Sequence, residues 1–505
     1  MCYLMGGKYM DKIEKLQRIM QKRGDIDNTD KKEMQHNLQK LTARERILLL
    51  LDDGSFIEFG SLIKGNGDGV ITGYGTVNGR LVFVYSQDYT VNGGALTKYN
   101  CEKIYSIMDM AGKMGAPLVQ IFDSVGTKLT EGLNILKEYG KILNKNASLS
   151  GVIPRIAIVA GACVGSAALN CTMSDFSVIV NNSGEVGLTS INKLIEQEEK
   201  YVDKSMYADA ENSVHNGNVQ MYASDDKEAL NIVKKIIEYI PSNNLEYSPL
   251  AKEISDLNVL NEKLNSMVRN DECDIFEIVS EISDKASLIE INKEWEKSVM
   301  TLLAKINGRT VGIIGNNSKH KSSINMKFAD KISRFVKMCD CFNIPIVSLV
   351  DTKGFAISID EENNGFALYA SKIVYSLASA RVPKVSLIIG EAYGSGYLAL
   401  ASREVAFDIT LAWPSAKISL TEPKSLIKTI YREEISALDN PKKEEDTIIK
   451  KYIDEVTDPF KAAEKGLIDD IIMPSETKPR LYAVLDMLLT KRELRYPKKH
   501  GSDLI

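Results

Sequence analysis

The sequence predicts an α/β protein built as two homologous domains in tandem, and three observations carry that expectation. A chain of 505 residues is too long for one compact core. Three segments recur in the same order at a nearly constant offset, the mark of an internal repeat. Within each copy, short apolar runs alternate with stretches of helical periodicity, as βαβ units do.

The recurrence opens at Asn78-Gly79-Arg80, matched by Asn307-Gly308-Arg309, each leading into an apolar strand-like run. MGAPLVQIFDSVG (114–126) is matched by FNIPIVSLVDTKG (342–354), which superimposes Pro117 on Pro345, Asp123 on Asp351 and Gly126 on Gly354. VIPRIAIVAGACVGSAAL (152–169) is matched by RVPKVSLIIGEAYGSGYL (381–398). There Pro154 falls on Pro383, Gly161 on Gly390, Gly165 on Gly394 and Ser166 on Ser395. One glycine coincidence means little; three collinear matches at an offset of 228 to 229 residues mean duplication. The expected domains are 1–245 and 246–505. PLVQIFD and PIVSLVD read as strands buried on both faces, and YSIMDMAGKMG and SRFVKMCDCFN as helices. Alternating strands and helices imply right-handed crossovers. Residues 190–300 are charged and rich in helix formers, and read as a helical insertion and connector with Pro241 closing one helix.

Composition narrows the class. With 44% hydrophobic and 26% charged residues, the chain falls among ordinary globular proteins. A net charge of −5 without a basic stripe argues against nucleic-acid binding. The densest apolar run, Ile47–Leu51, is far shorter than a membrane helix needs. MCYLMGGKYM lacks the apolar core and cleavage site of a signal peptide, so a cytoplasmic protein is expected. Seven scattered cysteines suit reduced thiols better than a disulfide framework. Cys339 and Cys341 form C-x-C with no second pair or nearby histidine to complete a zinc site. The four histidines, His36, His215, His320 and His500, leave few candidates for a histidine base.

The two glycine turns carry the chemistry. GEAYGSGY is no nucleophile elbow, since Tyr393 stands where that turn requires glycine. Neither turn has the lysine of a phosphate-binding loop or the spacing of a dinucleotide fingerprint. Glycines that merely admit close strand–helix packing are the plain alternative. Both copies, however, place glycine or serine at the start of a nearly apolar helix. The first backbone N–H groups of a helix are unsatisfied and backed by the positive end of its dipole. Small residues let a substrate oxygen approach them. Such a turn is an oxyanion hole without a nucleophile, suited to an enolate made from a thioester. The turns DSVG and DTKG adjoin each hole.

These residues resemble the carboxyltransferase subunit of biotin-dependent acyl-CoA carboxylases, of the propionyl-CoA carboxylase β type. They are also similar to the α subunits of glutaconyl-CoA and methylmalonyl-CoA decarboxylases. The resemblance runs through LTARERILLLLDDGSFIEFG (41–60), GDGVITGYGTVNGRLVFVYSQDYTVNGGAL (67–96), NIPIVSLVDTKGF, AWPSAKI and DPFKAAEKGLIDDIIMPSETKPRL (458–481). It implies two tandem crotonase-like domains, with CoA thioester on the N-half and biotin on the C-half. It further implies active sites between the N-half of one subunit and the C-half of another, in a homo-oligomer that the family suggests is a hexamer. By motif position Gly165 and Ser166, with Gly126 nearby, are the N-half donors; Ser395 and Gly396, with Gly354 nearby, are those of the C-half. Gly93, Gly94, Lys128, Gly394 and Tyr393 are the implied cofactor contacts, with Lys128 placed to meet a CoA phosphate. No protein base is implied.

The chain departs from the family pattern at several positions. D-S-G-G-A-R is here Asp123-Ser124-Val125-Gly126-Thr127-Lys128, and P-G-F-L-P-G is Lys353-Gly354-Phe355-Ala356-Ile357-Ser358. An arginine–histidine pair is Leu368-Tyr369, a Met-Gly is Thr421-Glu422, and each double glycine of the turns has become glycine–serine. No A-M-K-M biotin attachment site and no ATP-binding signature is present, so biotin is expected on a separate carrier, with biotin carboxylase and carrier subunits as partners. A diverged subunit that scaffolds or regulates an active relative is the alternative reading.

Overall fold

The computed structural model describes residues 11–17, 29–63, 69–251, 256–268, 274–316, 323–433, 441–493 and 496–497. Cys2, Cys273, His320, His500 and the opening decapeptide lie outside them. Two compact units emerge, one from Met1–Ser150, Arg155–Ser213 and Tyr222–Lys234, the other from Gly151–Pro154, Val214–Met221 and Lys235–Ile505.

The first sheet comprises β1 (Ile57–Phe59), β2 (Val70–Val77), β3 (Arg80–Gln87), β4 (Leu118–Ser124), β5 (Arg155–Val164), β6 (Phe176–Val180), β7 (Glu185–Gly187) and β8 (Met221–Ala223). Their order is β1-β2-β3-β4-β5-β6-β8, with β7 paired to the end of β5. The second comprises β9 (Ile289–Ile291), β10 (Val299–Ile306), β11 (Arg309–Asn316), β12 (Ile346–Thr352), β13 (Lys384–Tyr393), β14 (Ile409–Ala412), β15 (Lys417–Ser419) and β16 (Asp470–Ile471). Their order is β9-β10-β11-β12-β13-β14-β16, with β15 paired to the end of β13. Strand for strand, the two sheets are the same object. Even the irregularity recurs: the β4–β5 register slips between Phe122 and Ser124, and the β12–β13 register between Val350 and Thr352.

The hairpins β2–β3 and β10–β11 are antiparallel, as their two-residue Asn-Gly turns require. Asn78 and Gly79 have φ of 52° and 75°, and Asn307 and Gly308 of 49° and 79°. Each turn is held by a distant carboxylate. Asp52 accepts from the amides of Asn78 and Gly79, both at 2.9 Å; Asp284 accepts from those of Asn307 (3.1 Å) and Gly308 (2.7 Å).

Parallel pairing then follows, with helices as crossovers, while the first helix of each unit precedes its sheet. They are α1 (Ala43–Leu50), α2 (Lys98–Met114), α3 (Leu133–Leu149) and α4 (Ser166–Thr172) in the first unit, and α5 (Ile275–Ile282), α6 (Met326–Cys341), α7 (Phe366–Ser379) and α8 (Gly394–Leu400) in the second. Thr42 and Thr97 close capping boxes on α1 and α2, and Asn325 caps α6; such caps satisfy amides that a helix leaves open. α2 and α6 each bury a lysine. Lys331 donates to the carbonyls of Trp295, Glu296 and Val299, and burial lowers its ammonium to about 8.

The stretch expected to be connector is less uniform than its composition implies. A helix does run over Asp226–Tyr239, two residues short of Pro241. The same stretch also supplies helix α5 and the strands β8 and β9 of the two sheets, which its high charge conceals. Cys101, Cys163, Cys171 and Cys339 are buried and Cys341 half-buried, none of them in a disulfide. Among the described residues no group of histidine, cysteine and acidic side chains is placed to hold a metal. No helix there is long and apolar enough to cross a membrane.

Candidate functional site: two matched glycine turns

β4 and β5 lie side by side, and the register that sets Ser124 beside Cys163 brings both chains out of the sheet together. The first turn is woven from two loops. Ser124 Oγ donates to the Gly94 carbonyl (2.7 Å) and accepts from the Gly126 amide (3.0 Å). Val125 N–H donates to the Gly93 carbonyl (3.0 Å), Leu96 to Gly126 and Lys128 to Leu96, both at 2.9 Å. Gly94 has no room for a side chain, since an added Cβ would stand 2.3 Å from the Asp123 carbonyl oxygen. Gly93, Gly94, Gly126 and Lys128 are thus assembled into one surface.

Beside it β5 ends at Val164, and Gly165 turns the chain at φ 69° into α4. The Gly165 N–H is bonded to the Gly187 carbonyl (2.8 Å), and the helix's first bond runs from Ala168 to Gly165 (3.0 Å). The amides of Ser166 and Ala167 precede that bond and have no partner within the helix. A ligand oxygen reaching Gly126 has to share its amide with the Ser124 hydroxyl.

The second turn repeats the first. Gly354 has φ 110°, against 113° at Gly126, and its amide donates to Thr352 Oγ1 at 3.1 Å. Ile324 donates to Gly354 (3.0 Å) and Ala356 to Ile324 (2.9 Å). Gly394, at φ 51°, opens α8, so Ser395 and Gly396 lie in its first turn. Gly396 packs on the neighbouring loop so closely that an added Cβ would be 2.8 Å from Gly354 Cα. The Tyr393 hydroxyl donates to Glu391 Oε1 (3.0 Å), and burial, reinforced by the Glu391 charge, pushes the phenol well above its usual range.

Under each turn lies the repeated aspartate, and here the copies part. A Cβ on Gly161 would be 1.8 Å from Asp123 Oδ1, and one on Gly390 would be 2.3 Å from Asp351 Oδ1. The matched glycines make room for the matched carboxylates. Asp123 is buried in an ionic quartet. It binds Lys40 Nζ (2.7 Å) and Arg46 Nη1 (2.8 Å), while Arg46 also grips Asp226 through Nε (3.0 Å) and Nη2 (3.1 Å). Sequence reasoning missed Lys40, Arg46 and Asp226; the one available signal was an arginine directly before the apolar run Ile47–Leu50 of α1.

The pair Asp52 and Asp284, 232 residues apart, places buried Ile278 of α5 where α1 has Arg46. Asp351 instead accepts the Glu391 amide at 2.8 Å. Burial raises its carboxyl above the usual range, against weaker opposing pulls from that hydrogen bond and from the charges of Lys353 and Lys417. A carboxyl raised in the folded state stabilises the fold while protonated and loses that stability as pH rises through its folded pKa. Asp351→Asn keeps the Oδ1 acceptor and removes the charge. Its thermal midpoint is expected to exceed that of the parent at pH 8, with the gap narrowing toward pH 4. A variant less stable than the parent at pH 8 refutes this account.

An apolar collar also repeats. Leu129 and Ile357, 228 residues apart, are exposed just beyond the two turns; Leu169 on α4 and Leu398 on α8, 229 apart, are 44% and 48% exposed. Leu188 after β7 and Leu420 after β15 are exposed as well.

Two sheets of one topology, each ending in a glycine turn and a helix start, define a tandem crotonase-like α/β protein. The chain belongs to the carboxyl transferase domain family, whose model it matches over residues 34–502. It is 34% identical over 509 residues to methylmalonyl-CoA decarboxylase subunit alpha of Propionigenium modestum, covering 97% of this chain and 98% of that protein. It is 34% identical over 511 residues to the carboxyltransferase subunit of propionyl-CoA carboxylase of Haloferax mediterranei, covering 97% and 99%. Among solved structures it superimposes on transcarboxylase 12S, a hexamer seen with methylmalonyl-coenzyme A bound. The TM-score is 0.92 at 33% identity, over 96% of this chain and 97% of that one.

Proposed function

We propose that this chain is the carboxyltransferase subunit of a biotin-dependent acyl-CoA carboxylase or decarboxylase. It moves a carboxyl group between carboxybiotin and the α-carbon of a short-chain acyl-CoA. The observation that carries this reading is the pairing of two equivalent turns, each with open helix-start amides and with glycines where side chains would block approach. Carboxyl transfer from one carrier to another needs two such places, one for each oxygen that gains charge.

In the N-half (1–245), Ser166, with Gly165 and Gly126 shaping the approach, holds the thioester oxygen as the enolate forms. Gly93, Gly94 and Lys128 line the CoA side. In the C-half (246–505), Ser395 and Gly396 face the ureido oxygen of biotin, with Gly394, Gly354 and Tyr393 around them. Amide donors beside crowded glycines suit a neutral ureido oxygen that gains charge. Biotin, when bound, carries the carboxyl group; the residues of this chain position the two oxygens and exclude water. Biotin carboxylase and carrier subunits supply the group, in the cytoplasm.

Repetition of the apolar collar supports assembly with the N-half of one copy facing the C-half of another, in a hexamer. Exposed apolar patches of this kind mark interaction surfaces. Leu398→Glu is therefore expected to shift the sedimentation profile to smaller species while circular dichroism stays unchanged. An oligomer of unaltered size refutes this placement.

The activity itself is tested by incubating pure protein with free biotin and methylmalonyl-CoA and measuring decarboxylation. Absence of turnover over a panel of acyl-CoAs, with partner subunits present, overturns the enzyme reading and leaves a scaffold.

A further inference from the structure

We infer that Val125 is the side chain that limits the length of the acyl group taken at the first turn; this rests on the carboxyltransferase reading above. The two turns share their backbone course, and the residue between the hydroxyl and the glycine differs sharply between them. Asp-Ser-Val-Gly ends β4 and Asp-Thr-Lys-Gly ends β12, so Val125 corresponds to Lys353. One copy projects a stiff, branched apolar group from this place and the other a long cation. The duplicated scaffold has diverged here at an exposed position.

Val125 is pinned and yet exposed. Its amide is bonded to the Gly93 carbonyl, while its side chain remains 56% exposed. Its methyls lie against Gly93, where an added Cβ would meet them at 3.3 and 3.4 Å. Gly93, Gly94, Ser124, Gly126, Gly165 and Ser166, gathered here, are small, with Lys128 and the Tyr89 ring at the margin. A Cβ on Gly126 or Gly165 would meet nothing within 4 Å, so the space over the turn is open. Because Ser124 stands beside Cys163 in the sheet, Val125-Gly126 and Val164-Gly165 emerge next to each other. A thioester oxygen held at the Ser166 amide therefore sets its acyl carbons among these small residues, with the Val125 isopropyl group as the branched wall beside them. A β-branched side chain has few rotamers and yields little.

The test compares wild type, Val125→Ala and Val125→Gly with acetyl-, propionyl- and butyryl-CoA. It reads kcat/KM and, independently, the dissociation constants of the matching non-transferable thioether analogues. Removing the wall is expected to raise the butyryl-to-acetyl ratio about 10-fold or more in the glycine variant, the scale on which a pocket senses a methylene. The alanine variant should fall between. Wild-type binding with an unchanged ratio in both variants overturns the role of Val125 and leaves the carboxyltransferase reading intact. No binding of any acyl-CoA analogue by the wild type overturns both.

Discussion

Ser166→Pro is expected to lower the rate of carboxyl transfer about 10²- to 10³-fold, the usual loss when one oxyanion donor is removed. The substitution is chosen for what it leaves alone. Ser166 is the first residue of α4, where proline is well tolerated because that N–H has no partner in the helix. The residue before it is Gly165, the residue type best able to accept the restriction proline imposes. Proline removes the backbone donor together with the hydroxyl, so the hydroxyl has to be controlled for separately. Ser166→Ala removes the hydroxyl and keeps the N–H, so it should retain nearly the full rate. Affinity for an acyl-CoA thioether, which develops no oxyanion, should change little in either variant. Wild-type turnover by the proline variant, with an unaltered circular dichroism spectrum, refutes the assignment of this amide.

Arg46→Met should destabilise the first unit by about 3–5 kcal/mol, as removal of one partner from a buried ion pair does. The quartet is balanced, with Lys40 and Arg46 against Asp123 and Asp226. Without the guanidinium, one lysine faces two carboxylates in a buried site. Arg46→Lys keeps the charge but not the planar fork that holds Asp226 through two nitrogens, so its loss should be intermediate. Denaturant unfolding checks this by the midpoint of the first unit's transition. A shift no larger than that of an exposed arginine variant would falsify a structural role for the quartet. Ile278, its counterpart in the second unit, needs no such partner, because the carboxylate it would face sits instead on the Glu391 amide.

Much of this architecture was legible because it is written twice. Pro117 with Pro345, Asp123 with Asp351 and Gly161 with Gly390 recur because each copy closes the same strands over an inward carboxyl. Short strands escaped that reading: β8 and β9 lie in charged sequence, and three residues of alternation carry no periodic signal. Arg46 escaped for a related reason. An arginine beside Arg44 and Glu45 at the start of a helix reads as a solvated edge until its partners, 77 and 180 residues away, are brought to it.

By itself, the sequence determined the duplication, the α/β class and the two turns, since these rest on local pattern: periodicity, glycine placement and repetition at one offset. Only the tertiary structure decided which amides remain available and which are taken by Ser124, Thr352 or Gly187. It also decided that one repeated aspartate is paired with buried cations while burial raises the carboxyl of the other above its usual range. Hydrogen bonds and ion pairs depend on atoms within about 3 Å, and spacing along a chain says nothing of such distances until the chain has folded.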